Sequence, residues 1–327
     1  MKVSDVGERS LVEIARRTFK KGPPVRIGIG DDAAAIDVDD LCLIATTDML
    51  VESVHFPPGT RPEQIGKKSV VVNLSDIAAM GAEPLGLIFS VAIPRELDIE
   101  FVKRLMKGMN STALEYGTYV VGGDLDESGE ITIAGAAFGL AHKDSILRRS
   151  SAKPGDLVAV TGELGAASAG LRILLNKLPR EGYQKLVDAQ LKPIARVKEG
   201  RALARSGSVK TAIDISDGLV SNLWQLAKES KVKLIVDYEK IPIHSLVKKF
   251  SEKYHYNVDD FALFGGEDFE LIFTVPKKGW GKVQRALKRL GTSATMIGWV
   301  TKGRGVFMKV GEKIKLVEDL GYQHFKS

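Results

Sequence analysis

The sequence predicts a mixed α/β or α+β protein of two domains. Three observations carry that reading. The 327 residues exceed one ordinary domain, at about 150 residues each. Amphipathic helical segments alternate with strand-like apolar runs, but without the strict strand–helix–strand order of a parallel doubly wound sheet. The pattern also changes near residue 150, where an acidic half (17 Lys+Arg, 22 Asp+Glu, net −5) meets a basic one (30 against 19, net +11). The expected division is 1–149 and 150–327.

In the first domain, residues 8–19 read as a helix, because Leu11, Ile14, Ala15, Thr18 and Phe19 recur at i, i+3, i+4, i+7 and i+8. Gly22-Pro23-Pro24 ends it. Strands at 33–37 and 41–46 flank the polar turn Asp37-Val38-Asp39-Asp40. Residues 62–80 form a long helix in which Val70, Leu74, Ile77 and Ala78 keep the period, Gly81 suits the C-terminus and Pro84 stops it. A strand at 85–93, a helix at 99–116 and strands at 119–121 and 131–140 follow.

The turn Lys153-Pro154-Gly155-Asp156 opens the second domain. Its strands are expected at 157–161, 211–215, 233–237, 270–275, 295–300 and 306–310, and its helices at 166–175, 194–206 and 218–230. Asn73-Leu74-Ser75-Asp76 is echoed by Asp214-Ile215-Ser216-Asp217, a hint of related halves.

Composition excludes several classes. With 44% hydrophobic and 27% charged residues, the chain can bury a core and is not a disordered polymer. A single cysteine, Cys42, excludes an internal disulfide framework and points to a reducing compartment, here the cytoplasm. The longest near-continuous apolar stretch, residues 131–141, falls short of the roughly 20 residues a spanning helix needs, so no membrane partner is expected. Acidic residues Asp5, Glu8 and Glu13 argue against a targeting peptide. The net charge of +6 invites a nucleic acid, but the lysines are spread over helical faces without a tight block, as on a solvated surface. No nucleic-acid partner is expected.

The chemistry lies in aspartates flanked by small residues, mostly where strands end: Gly30-Asp31-Asp32-Ala33, Thr46-Thr47-Asp48, Ser75-Asp76, Gly122-Gly123-Asp124, Asp214-Ile215-Ser216-Asp217-Gly218 and Gly265-Gly266-Glu267-Asp268. One such residue alone is ordinarily a turn or a cap. Six sets in one chain suit Mg²⁺, a hard cation shared between carboxylates and substrate phosphates. Asp76 is the most telling, since it sits in a helix interior among Val72, Leu74, Ile77 and Ala78, where an uncompensated carboxylate is costly. Asp217 could be a ligand, the N-cap of the following helix, or both.

Known phosphate loops do not fit. Gly66-Lys67-Lys68-Ser69 resembles the end of a P-loop, but residue 61 is Arg and the spacing fails. Gly28-Ile29-Gly30-Asp31-Asp32-Ala33 has a dinucleotide-like form whose two carboxylates would repel a pyrophosphate. Among five histidines only His55 lies near a motif, and Cys42 sits in an apolar strand. No protein nucleophile or general base is expected. Phosphoryl transfer fits this pattern, since it asks the protein for cations and positioning.

The ordered set of these motifs, together with His55-Phe56, Asn73-Leu74-Ser75-Asp76-Ile77-Ala78-Ala79-Met80-Gly81-Ala82, Arg149-Ser150, Gly265-Gly266-Glu267-Asp268-Phe269-Glu270-Leu271 and the terminal Gly321-Tyr322-Gln323-His324-Phe325, spans nearly the whole chain. It resembles the thiamine-monophosphate kinase family, within the superfamily of aminoimidazole ribonucleotide synthetase. The resemblance implies that family's two-domain fold, with N-terminal strands paired across a homodimer. It also implies ATP-dependent phosphorylation of thiamine monophosphate to thiamine diphosphate by in-line transfer with several Mg²⁺ ions.

By matching positions, Asp32, Thr46, Thr47, Asp48, Asp76, Asp124, Asp214 and Asp217 would hold the metals. Gly123, Asp124, Arg149 and Ser216 would contact ATP; His55, Glu267 and Tyr322 would contact the thiamine substrate. Asp31 beside Asp32 and Arg148 beside Arg149 are adjacent candidates. A ligase resembling aminoimidazole ribonucleotide synthetase is the alternative reading.

Overall fold

The computed structural model describes residues 2–322, 324 and 325; Gln323 of the terminal motif lies outside them. Two sheets organise the chain. The first part runs α1 (Val3–Val6), α2 (Glu8–Thr18), β1 (Val25–Ile27), β2 (Ala34–Val38), β3 (Leu41–Val51), α3 (Glu52–His55), α4 (Pro62–Ala79), β4 (Glu83–Ile93), α5 (Ile99–Glu115), β5 (Val120–Glu127) and β6 (Thr132–His142). Its six strands lie in the order β1-β2-β3-β6-β4-β5. All neighbours are antiparallel except β4 and β5, which are parallel.

The second part runs β7 (Asp156–Thr161), α6 (Ala166–Leu175), α7 (Gln184–Leu191), α8 (Val197–Arg205), β8 (Thr211–Asp214), α9 (Leu219–Ser230), β9 (Lys233–Asp237), α10 (Ser245–Tyr254), α11 (Val258–Ala262), β10 (Leu271–Pro276), α12 (Trp280–Arg289), β11 (Ala294–Thr301), β12 (Gly305–Val310) and β13 (Lys313–Leu316). Seven strands form the order β13-β12-β9-β11-β7-β10-β8. The mixed α+β class read from the sequence is the observed one, with strands predominantly antiparallel in both sheets.

The helix α4 positions the site. Ile65, Val70, Val71, Leu74, Ile77 and Ala78 are buried, as are Asn73 and Ser75. A helix buried on nearly every side belongs between layers, and α4 packs on α5, on the first sheet, and on α8 and β8 of the second part. No described helix is long and apolar enough to cross a membrane.

Several elements differ from the sequence reading. The strand expected at 41–46 continues to Val51, through Thr46-Thr47-Asp48, because β6 pairs with it from Leu41↔His142 to Val51↔Thr132. The strand expected at 119–121 is Val120–Glu127: parallel pairing with β4 carries it through Gly122-Gly123-Asp124, which alone looks like a turn. At Gly123 a Cβ would meet the Phe89 carbonyl oxygen at 2.0 Å, so this close strand approach requires glycine. The short α1, β1 and α3, and α7, α10, α11, α12 and β13, went unpredicted. The two Ser-Asp motifs do not occupy equivalent elements, since one lies within α4 and the other at the end of β8.

Candidate active site

Strand alternation selects which motif residues meet. On β3, Thr46 and Asp48 face inward toward α4, while Thr47 and Met49 are exposed on the opposite face. Thr46 Oγ1 donates to Asp76 Oδ2 and Thr47 Oγ1 donates to the Gly135 carbonyl at 2.8 Å. The Asp48 N–H donates to Asn73 Oδ1 at 3.3 Å, which ties the strand to α4. From the second part, Asp214 ends β8 against α4 and accepts a 2.6 Å hydrogen bond from Ser75. The two echoing motifs therefore meet face to face.

Asp32, Asp76 and Asp214 converge, with one carboxylate oxygen from each lying within 4.8 Å of the others. The surroundings of Asp76 and Asp214 oppose ionisation. Burial raises the Asp76 carboxyl well above the usual range, and the charges of Asp48, Asp214 and Asp32 add to it. Burial, then Asp32, pushes Asp214 up to about 8. Burial pushes Asp48 up to about 6. One cation answers this cluster directly: Arg149 forks Asp32 Oδ1 at 2.8 Å and Gln225 Oε1 at 2.7 Å. Asp32 Oδ2 remains buried with no hydrogen-bond partner among the described residues. Three facing carboxylates with an orphaned buried oxygen fit a divalent cation.

The cluster opens into a cleft of about 420 Å³ whose walls include Asp48, Asp76, Asp214, Ser216 and Asp217 together with His55, Glu267 and Tyr322. His55 Nδ1 accepts from the Val51 N–H at 2.9 Å. Burial holds its imidazole below the usual pKa. Glu267 lies on a strained loop with φ of 70°, and Phe269 follows at 50°. Hydrogen bonds from Glu267 N–H to Ser216 O and from Phe269 N–H to Ile215 O, both 2.9 Å, fix the loop on the β8 extension.

Residues 30–141 match the family described as AIR synthase related protein, N-terminal domain, and residues 153–311 its C-terminal domain. A thiamine-monophosphate kinase of Pyrococcus horikoshii is 40% identical over 298 residues, covering 91% of each chain. That of Aquifex aeolicus is 35% identical over 329 residues, covering 99% of this chain and 100% of its own. The chain belongs to the thiamine-monophosphate kinase family. It is thus an enzyme of the kinase class. The solved structure of AaThiL complexed with AMPPCP and TMP superposes with a TM-score of 0.89 at 34% identity, covering 99% of both chains.

In this thiamine-monophosphate kinase fold the ambiguous neighbours separate. Asp32 enters the cluster, whereas Asp31 accepts the Arg149 backbone N–H at 3.0 Å. Arg149 reaches the carboxylates, whereas Arg148 lines a different cleft with Lys143 and Lys210. Asp217 is not the N-cap of α9, a place taken by Gly218; its carboxylate accepts from Gln225 at 3.1 Å and faces the cleft. Asp268 leaves the acidic set. Its oxygens accept the Gly165 and Ala167 N–H groups at 2.7 and 3.3 Å, so it braces the start of α6. The Thr47 side chain points away from the cluster, contrary to the expected ligand role, because adjacent residues of a strand face opposite sides.

Gly123 and Asp124 stand apart. The register Asp48↔Gly135↔Phe89↔Gly123 sets Gly123 three strands from Asp48, about 14 Å by strand spacing. Both residues line a separate groove of about 590 Å³ with Val102, Met106 and Met109 of α5. Functional-site residues missed from the sequence are Lys68 and Gln190. Lys68 had a partial signal, since it lies four residues before Val72 and eight before Asp76 on one helical stripe, but its neighbour Lys67 makes the pair look like a charged surface. Gln190 had none.

Proposed function

We propose that this chain transfers the γ-phosphoryl group of ATP to the phosphate of thiamine monophosphate, giving thiamine diphosphate and ADP. The observation that carries this is the single cleft joining the Asp32–Asp76–Asp214 cluster to His55, Glu267 and Tyr322. The names of the relatives and of the ligands in the AaThiL complex agree with it. Asp32, Thr46, Asp48, Asp76, Asp214 and Asp217 would hold Mg²⁺. Thr47, through its main chain, and Asp124, from the neighbouring groove, would complete the set. Held by these residues, Mg²⁺ would supply positive charge to offset that of the phosphates.

The protein's own residues then bind and orient. Gly123, Asp124, Arg149 and Ser216 would hold ATP, with the α5–β5 groove beside Gly123 offering apolar walls. His55, Glu267 and Tyr322 would seat the thiamine moiety in the cleft. No side chain need act as base, since a phosphate acceptor is already ionised near neutral pH. Residues 1–149 would carry most of the metal and nucleotide contacts, joined by Asp214, Ser216 and Asp217 from residues 150–327, which would close over the substrate. The exposed β5 edge, with Val121 66% and Leu125 61% accessible, supports strand pairing across a homodimer. Incubation with ATP, thiamine monophosphate and Mg²⁺ should yield ADP and thiamine diphosphate in equal amounts. Turnover of a purine precursor in place of thiamine monophosphate would overturn the assignment.

A further inference from the structure

The Lys68 side chain is only 4% exposed, on the same stripe of α4 as Val72 and Asp76. A buried ammonium is costly unless paired. Its Nζ lies 2.5 Å from Glu267 Oε1 and donates to the His55 carbonyl at 2.9 Å, beside the Phe56 ring at 5.9 Å. The other Glu267 oxygen accepts from Gln190 Nε2 of α7 at 2.6 Å. Glu267 is thus gripped on both oxygens, by the first part of the chain on one side and the second on the other. The lysine simultaneously touches the backbone of His55.

We propose that Lys68 is the positioning residue of the thiamine pocket, locking the Glu267 carboxylate and the His55 turn into one wall across the two domains. This rests on the reading of His55 and Glu267 as thiamine contacts. The α4 stripe then serves both ends of the cleft, a carboxylate at Asp76 for the metals and a cation at Lys68 for the substrate wall. Because Lys68 compensates the Glu267 charge, the wall recognises its ligand through fixed hydrogen-bond acceptors. A carboxylate released from the lysine and left 27% exposed would reorient toward solvent.

The test measures steady-state constants and thermal melts for wild type, K68M, K68R, E267Q and K68M/E267Q, with calorimetric binding of thiamine monophosphate alone. K68M should raise the KM and Kd for thiamine monophosphate about tenfold or more while leaving the KM for ATP within about twofold. K68R should recover most of the loss. In the E267Q background, K68M should add less than about twofold, because the lysine acts through that carboxylate. Additive losses, or a K68M that lowers Tm and kcat while thiamine monophosphate binding stays unchanged, would overturn the inference. If K68M does not fold, K68Q, which keeps a hydrogen-bond donor but carries no charge, takes its place in the same cycle with E267Q, with the same outcomes for and against. Wild-type protein that forms no thiamine diphosphate refutes the kinase reading itself, and this inference with it.

Discussion

At Arg196 buried opposite charges answer one another, whereas at Asp76 like charges face each other. Arg196 grips both oxygens of Glu270 and reaches Glu199 at 3.3 Å; Thr161 donates to Glu270 at 2.6 Å and Thr292 donates to Glu199. That network holds β7, β10 and α8 together and needs nothing from outside. The Asp32–Asp76–Asp214 cluster has Arg149 on one carboxylate and leaves an Asp32 oxygen unmet. Both clusters are polar and largely withdrawn from solvent, with Arg196 22% exposed, so burial alone does not mark a site. What marks it is a charge deficit that only a ligand can answer.

Paired substitutions separate the two regions most sharply. D76N should lower turnover by about 10³-fold or more, since a cation ligand at the reacting phosphates is lost. Its Tm without Mg²⁺ should be unchanged or higher, because a repulsion goes with the charge. E270Q should do the reverse, costing about 2 kcal/mol of stability by unpairing Arg196 while kcat per folded molecule persists. Wild-type turnover in D76N, or full stability in E270Q, would break the contrast.

A second effect is smaller and concerns pH. The folded-state carboxyl of Asp214 sits at about 8 against an ordinary 3.8, so the folded chain holds a proton that the unfolded chain has released. In chelator that contribution to stability is whole below about pH 4 and declines as pH rises toward 8. Mg²⁺ favours the ionised form, so the Tm gain on adding Mg²⁺ should be larger at pH 8 than at pH 5. Equal gains at both would show that the cluster is not where the ion acts.

The smallest effect tests strand alternation. T46V removes a hydroxyl donated to Asp76 and should cost about tenfold in kcat/KM. T47V, whose hydroxyl serves Gly135 on the other face, should stay within about twofold. Kinetics of the two variants side by side decide this, and equal losses would place both hydroxyls in the site.

Much of this molecule was legible before folding. The helix at 62–80 was visible because its apolar period is unbroken, and Asp76 stood out because a carboxylate does not belong there. Asp32, Asp48 and Asp214 were legible through their small neighbours. The last six residues of β5 were not, since a strand containing Gly122-Gly123-Asp124 exists only through its pairing with β4. The five-residue α11 is too short to show a period, whereas α10 and α12 do carry one, at Val247, Phe250 and Tyr254 and at Trp280, Val283 and Leu287, interrupted by lysines and arginines.

The sequence by itself pointed to the class of chemistry: a set of carboxylates flanked by small residues, of the kind that shares a divalent cation with phosphates. Residue type and local spacing are enough for that, because charge and hydrogen-bonding capacity travel with the side chain. Only the tertiary structure decided between Asp31 and Asp32, Arg148 and Arg149, Thr46 and Thr47, and turned Asp268 from a candidate ligand into a helix brace. Each of those choices depends on which way a backbone already pointed, and a neighbour in sequence becomes a neighbour in chemistry only when folding aims both side chains at the same place. Lys68 shows the same rule in reverse, since its partner Glu267 lies far along the chain and meets it only because α4 is buried between the two sheets.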